Sequence, residues 1–284
     1  MELEVITPSY APDFEFCRDL NASVRRYGGD RVQHTIIVPP RDLALFAELG
    51  DERTRVRSVD DYLPGLRRLP GNFWLNPRRP WFPVRGWVAQ QLVKLESAAR
   101  SKSPLVLMVD SDIVFVRPFG ADTFTSPTGT PEFYRLDDAI DERLPRHVIW
   151  HAAARRLLGV DPSPALPLPD YVSCPCVWEP EVVRSVLGRV EAVASAPWQR
   201  VVGAEPHISE MILYGVYADA FPPEQPRHIV DDMRCHRYYD EVPLDESGLR
   251  DFLAELRPID HSVMISAKSG TDLTARRAAL QRLG

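Results

Sequence analysis

Leu105-Val106-Leu107-Met108-Val109-Asp110-Ser111-Asp112 is the stretch that decides the fold. Five apolar residues in a row, with no polar side chain among them, read as a strand buried on both faces. Such strands occupy the middle of a parallel sheet, and ligands of open α/β sheets gather at the carboxyl ends of the strands. Asp110 and Asp112 follow at once. Residues i and i+2 of an extended chain point the same way, so the two carboxylates converge on one spot. Like charges that close repel unless a cation lies between them. Mg²⁺ or Mn²⁺ takes oxygen ligands and leaves positions open for phosphate oxygens, so the pair reads as a metal and diphosphate site. Apolar Ile113-Val114-Phe115-Val116 on the far side frames it.

Outward toward the amino terminus, the pattern repeats. Leu3–Thr7 reads as a first buried strand that ends in Thr7-Pro8-Ser9-Tyr10. Phe14–Tyr27 carries Phe14, Cys17, Leu20 and Val24 at helical spacing, and Gly28-Gly29 stops it. Gln33–Val38 reads as a strand, Leu43–Leu49 as a short helix and Arg55–Val59 as a third strand. Pro64–Pro83 reads as a proline-rich loop carrying Trp74 and Trp81, and Gly86–Arg100 as an amphipathic helix leading to the central strand. This alternation predicts an α/β fold: a mostly parallel mixed sheet flanked by helices. In the second half, strands are expected near Phe133–Leu136, Tyr171–Val177 and His228–Val230. Helices are expected over Val148–Leu158, Glu181–Ala194, Ile208–Ala218 and Gly248–Leu256.

The chain's 284 residues fit one domain, 1–284. A net charge of −6 argues against a nucleic-acid partner. No run of about 18 apolar residues predicts a membrane span. Met1–Val5 lacks a basic region followed by a long apolar stretch, so a cytoplasmic location is expected, with Cys17, Cys174, Cys176 and Cys235 reduced. Cys174-Pro175-Cys176 suggests a zinc half-site that only Cys235 and His236 would complete; packing beside Trp178 is the preferred reading.

With these residues assembled, the chain resembles GT-A glycosyltransferases. Val5-Ile6-Thr7-Pro8-Ser9-Tyr10 and Leu107-Met108-Val109-Asp110-Ser111-Asp112 are similar to the nucleotide-binding half of that superfamily. Arg85–Leu95, His207–Gly215 and Cys235–Tyr239 look like an uncharacterised bacterial branch of it. The resemblance implies a nucleotide-binding half over 1–112 and an acceptor-binding half over 113–284. It implies transfer of a sugar from a nucleotide-sugar donor, with UDP favoured, to a small-molecule or glycan acceptor, with Mn²⁺ or Mg²⁺ as cofactor. Thr7, Pro8 and Tyr10 would line the nucleoside pocket, with Tyr10 stacked on the base. Arg85, Gln91 and Lys94 would reach the diphosphate or sugar; lysine is scarce here, occurring only at 94, 102 and 268. Asp110 and Ser111 would contact the donor, Asp110 and Asp112 the metal. His236 would complete the ligand set, with His261 as the second choice. Glu210, in the first turn of a helix, would be the base of an inverting reaction, with Asp231 and Asp232 behind it.

Two other readings stay open. A phosphatase of the haloacid dehalogenase type would use Asp110-Ser111-Asp112 as its nucleophile motif and Asp231-Asp232 as its second acidic pair. Against it, three strands precede the motif, and no lysine lies between Asp112 and Asp231. A non-catalytic sugar-nucleotide-binding module would bind UDP with Mn²⁺ and turn nothing over.

Overall fold

In the computed structural model, period-two burial sets the layers. Strand β1 (Leu3–Pro8) lies between β2 (Val32–Val38) and β4 (Leu105–Met108), and β3 (Thr54–Ser58) pairs with β2. All four run parallel. The structure describes residues 1–64, 67–69, 73–76, 79–162 and 165–283, with backbone alone over 67–85. Leu105, Leu107 and Val109 face one side with Leu3, Val5, Leu20 and Val24; the last two belong to helix α1 (Phe14–Tyr27). Val106 and Met108 face the other side with Ile6 and Ile37. There they meet helices α2 (Gly86–Arg100), α3 (Pro145–Leu158), α4 (Pro180–Ala194) and α5 (Glu210–Ala220). A strand covered on both faces cannot alternate apolar with polar, which is why β4 reads as an unbroken apolar run.

β5 (Ile113–Phe115) does not continue the main sheet. It opens a second one with β8 (Ser262–Ile265) and β7 (Cys235–Tyr238). Asp110-Ser111-Asp112 is therefore the hand-over between two sheets, at the carboxyl edge of the first. Antiparallel β6 (Cys176–Trp178) closes the main sheet beside β4. Helix α6 (Glu246–Ala254) covers the second sheet, and α7 (Leu273–Gln281) follows β8.

Several expected elements differ. The proline-rich stretch 64–83 is not simply a loop. It contributes a three-stranded antiparallel sheet of Arg67–Leu69, Phe73–Asn76 and Arg79–Arg85. Pro80 and Pro83 fall on an edge strand, where a missing N–H is tolerated. The side chains of Trp74 and Trp81 lie outside the described residues. Tyr171–Val177 is not one strand: Leu168–Asp170 and β6 flank a loop, because Pro175 cannot donate to a ladder. Phe133–Leu136 divides between Glu132–Tyr134 and Leu136–Ile140.

Gly215, inside α5, has a packing reason. A Cβ there would stand 2.1 Å from the Tyr171 ring. Among the described residues no helix is long and apolar enough to cross a membrane.

Candidate active site

Helix α2 runs back along β4 and brings Lys94 under the hand-over. Its ammonium lies 3.1 Å from Asp110 Oδ1 and 3.2 Å from Glu210 Oε1. Lys94 and Glu210 are almost wholly buried, whereas the Asp110 side chain is 45% exposed. Burial alone would lower the proton affinity of Lys94. The Asp110 and Glu210 carboxylates outweigh it and hold the group above its ordinary value. Glu210 is the first residue of α5. Ser209 caps that helix by accepting the Ile212 N–H (3.3 Å), and Gln91 Oε1 accepts the Glu210 N–H (3.1 Å). Three expected residues, Lys94, Gln91 and Glu210, thus form one buried polar unit with Asp110. In it Gln91 holds the start of α5.

Asp112 is gripped by the carboxyl-terminal segment. Its Oδ2 accepts the Ala267 N–H (3.0 Å), and Arg276 of α7 donates to its backbone carbonyl (2.6 Å). Burial, with Asp110 adding to it, raises the proton affinity of Asp112. Arg276 is 1% exposed, and burial pulls its proton affinity down to about 10. A third carboxylate faces the pair. Asp13 follows β1 in a single turn over Ala11–Asp13; burial and then the charges of Asp112 and Asp110 push it up to about 6. The cluster is crowded with negative charge that Lys94, beside Asp110, and Arg276, beside Asp112, offset in part.

The other expected residues with described side chains have partners of their own. Thr7 is fully buried with its hydroxyl on His34 (3.0 Å), so it serves the sheet interior. Pro8 is buried. Ser111 is buried and donates to Ser9 (2.9 Å), tying the motif to the β1 loop. Tyr10 is 42% exposed at the end of β1. The Arg85 side chain lies outside the described residues. His236 faces away from the carboxylates. Strand alternation places Cys235 in the cluster with Ile113 and Phe115, and turns His236 to α6, where it stacks on Phe252 (4.1 Å) and bonds the Phe252 carbonyl (2.7 Å). His261 bonds the Pro118 carbonyl (2.9 Å). Asp232 pairs with Arg257 (2.6 Å), and His228–Val230 lies in a separate two-stranded sheet with Glu132–Tyr134. Asp232, one of the acidic pair that a haloacid-dehalogenase reading needs, is therefore engaged elsewhere. Cys174 and Cys176 turn to different clusters, as packing residues would.

Among the described residues no group of three or more His, Cys, Asp or Glu side chains is arranged to hold a metal ion. The carboxylates still fit a Mg²⁺ or Mn²⁺ bound with its substrate, since such ions are commonly held by one or two carboxylates plus phosphate oxygens. Sequence reasoning missed Asp13 although a signal existed: it follows the first strand at the same carboxyl edge that singled out Asp110. Arg276 and Ala267 carried no local signal. A surface hollow of about 380 Å³, lined by Met1, Arg31, Val32 and Asp122 among others, opens at the opposite edge of the sheet and contains neither Asp110 nor Asp112.

Fold and site together define an α/β protein whose mostly parallel sheet carries an acidic cluster where its central strands end. The chain belongs to DUF6492, a family of unknown function, whose profile matches residues 3–239. No curated protein matches it. Among solved structures it is similar to mouse xyloside xylosyltransferase 1 in its apo form, at 11% identity and a TM-score of 0.48, over 96% of this chain and 100% of that one.

Proposed function

We propose that the chain is a GT-A-type glycosyltransferase that moves a sugar from a nucleotide-sugar donor, a UDP-sugar first, to an acceptor hydroxyl with Mn²⁺ or Mg²⁺. The observation that carries this reading is the crowding of Asp13, Asp110 and Asp112 at the carboxyl edge of the central strands, where burial and mutual repulsion raise Asp13 and Asp112. Asp110 and Asp112 would hold the cation, which supplies positive charge against the departing nucleoside diphosphate. Lys94 fixes the orientation of Asp110, and Ala267 and Arg276 fix Asp112. A carboxylate held this way needs little rearrangement when a ligand arrives. Tyr10, exposed just before the turn that carries Asp13, would offer its ring to the base. Glu210, buried against Lys94, is assigned to holding that lysine; serving as the base would require it to leave the ion pair.

The test is a thermal-shift screen of UDP, GDP, CDP and dTDP with and without Mn²⁺. A ligand at about 100 times its Kd stabilises the folded state by about 2.7 kcal/mol, several degrees in Tm. The expected result is a shift with UDP that needs Mn²⁺. Absence of any shift with all four nucleotides overturns the reading.

A further inference from the structure

Helix α2 carries Trp87, Gln91 and Lys94 at i, i+4 and i+7, which is one face. Lys94 holds Asp110 and Gln91 holds the start of α5. The next position out along the stripe is Trp87, about 10 Å from Lys94 at 1.5 Å per residue. Because α2 runs opposite to β4, its amino end overhangs the carboxyl edge of the sheet. Trp87 is 37% exposed. Its ring stacks on Trp150 of α3, with centroids 5.5 Å apart and planes within 21°. The Arg146 guanidinium lies 6.0 Å from the Trp87 centroid and 5.7 Å from that of Trp150. The His147 ring is 4.7 Å from Trp150, and its Nδ1 is 3.3 Å from Asp170 Oδ2. The Trp150 Nε1 has no hydrogen-bond partner among the described residues.

From this geometry we infer that Trp87 and its polar rim form a second binding site, for the pyranose ring of a carbohydrate acceptor. A lone exposed tryptophan needs no explanation. This one is different in three ways: a second indole braces it, a cation lies against both rings, and it continues the face that carries Lys94. A pyranose has an apolar C–H face and a rim of hydroxyls. The first matches the exposed part of the Trp87 indole; the second matches the Arg146 guanidinium beside it. The span of about 10 Å to Lys94 is one to two sugar rings, so a ring held at Trp87 belongs to the acceptor rather than to the donor. The acceptor role rests on the transferase reading above; the sugar site does not.

The test is saturation-transfer NMR with methyl β-glucopyranoside, methyl β-galactopyranoside, methyl α-mannopyranoside and cellobiose, with uridine as the competing flat ligand. At least one sugar is expected to receive saturation on its ring C–H protons from the unaltered protein and from Asp112→Ala. Binding should weaken about tenfold in Trp87→Ala and survive in Trp87→Phe, because a stacked ring contributes on that order. Trp87→Leu keeps bulk without the π face and replaces Trp87→Ala if that variant fails to fold. The UDP–Mn²⁺ thermal shift should be unchanged in the Trp87 variants. No sugar binding, equal binding in Trp87→Ala and Trp87→Leu, or Trp87-dependent binding of uridine alone overturns the inference. Trp87-dependent sugar binding without any UDP–Mn²⁺ shift keeps the sugar site and removes the transferase reading.

Discussion

Two buried polar networks share the central sheet, and they are built on opposite principles. In the first, His34 bonds Thr7 (3.0 Å) and Asn21 (2.8 Å), Asn21 also accepts from Thr54 (2.9 Å), and its amide reaches the Leu49 carbonyl (3.2 Å). Its side chains are neutral, and together they stitch β1, β2 and β3 to α1. In the second, Lys94 joins Asp110 to Glu210, Asp112 and Asp13 crowd Asp110 from the other side, and Arg276 lies by Asp112, so four carboxylates face two cations. A satisfied neutral network fixes architecture; an over-charged one stores a preference for a ligand. On the reading proposed above, the chemistry would lie in the second network.

The largest way to break the contrast is Lys94→Met. It leaves Glu210 as a buried charge without a partner, a change that costs about 3–5 kcal/mol. Denaturant unfolding should show that loss, and Lys94→Met with Glu210→Gln should recover part of it. Equal stability in the single variant would mean that Lys94 is not the hub. His34→Gln comes next, at about 1–3 kcal/mol for disturbing a satisfied network. Burial pushes the His34 proton affinity down to about 3, against 6.5 when free. Below pH 6.5 the unfolded chain takes up a proton that the folded chain refuses. The stability His34 confers is therefore whole above pH 6.5 and is lost as pH falls toward 3. The gap between wild type and His34→Gln should shrink across that window while UDP–Mn²⁺ binding stays equal; a gap independent of pH would contradict the neutral assignment.

The smallest effect is expected for Asp13→Asn. Asp13 is raised to about 6 from 3.8, so the folded chain binds the extra proton between those values and becomes less stable as pH rises through them. The variant should gain on wild type above pH 6, lose that gain below pH 4, and bind Mn²⁺ a few-fold more weakly. A constant difference in stability across pH 4–7 would show that Asp13 does not feel the pair.

Much of the main sheet was legible: Leu105–Met108, buried on both faces, writes itself as an apolar run, and the expected Leu3–Thr7 and Gln33–Val38 also fall on strands. Lys94 and Glu210 stood out by scarcity and helix position, and they do meet. Their partnership did not show, since contact across 116 positions leaves no local pattern. His236 misled because a histidine on a strand faces either way, and one residue of register sends it to α6. Arg276 and Ala267 were invisible for the same long-range reason, reaching Asp112 from more than 150 residues away.

The most direct measurement is calorimetric titration of UDP with Mn²⁺ into the wild-type protein and Asp112→Ala, with His34→Gln as the control from the neutral network. Cation-dependent binding in wild type and His34→Gln, and a loss of at least about 100-fold in Asp112→Ala, is the predicted result; that is about 2.7 kcal/mol at 1.36 kcal/mol per decade. Equal affinity in Asp112→Ala would contradict a cation held at the end of the central strand.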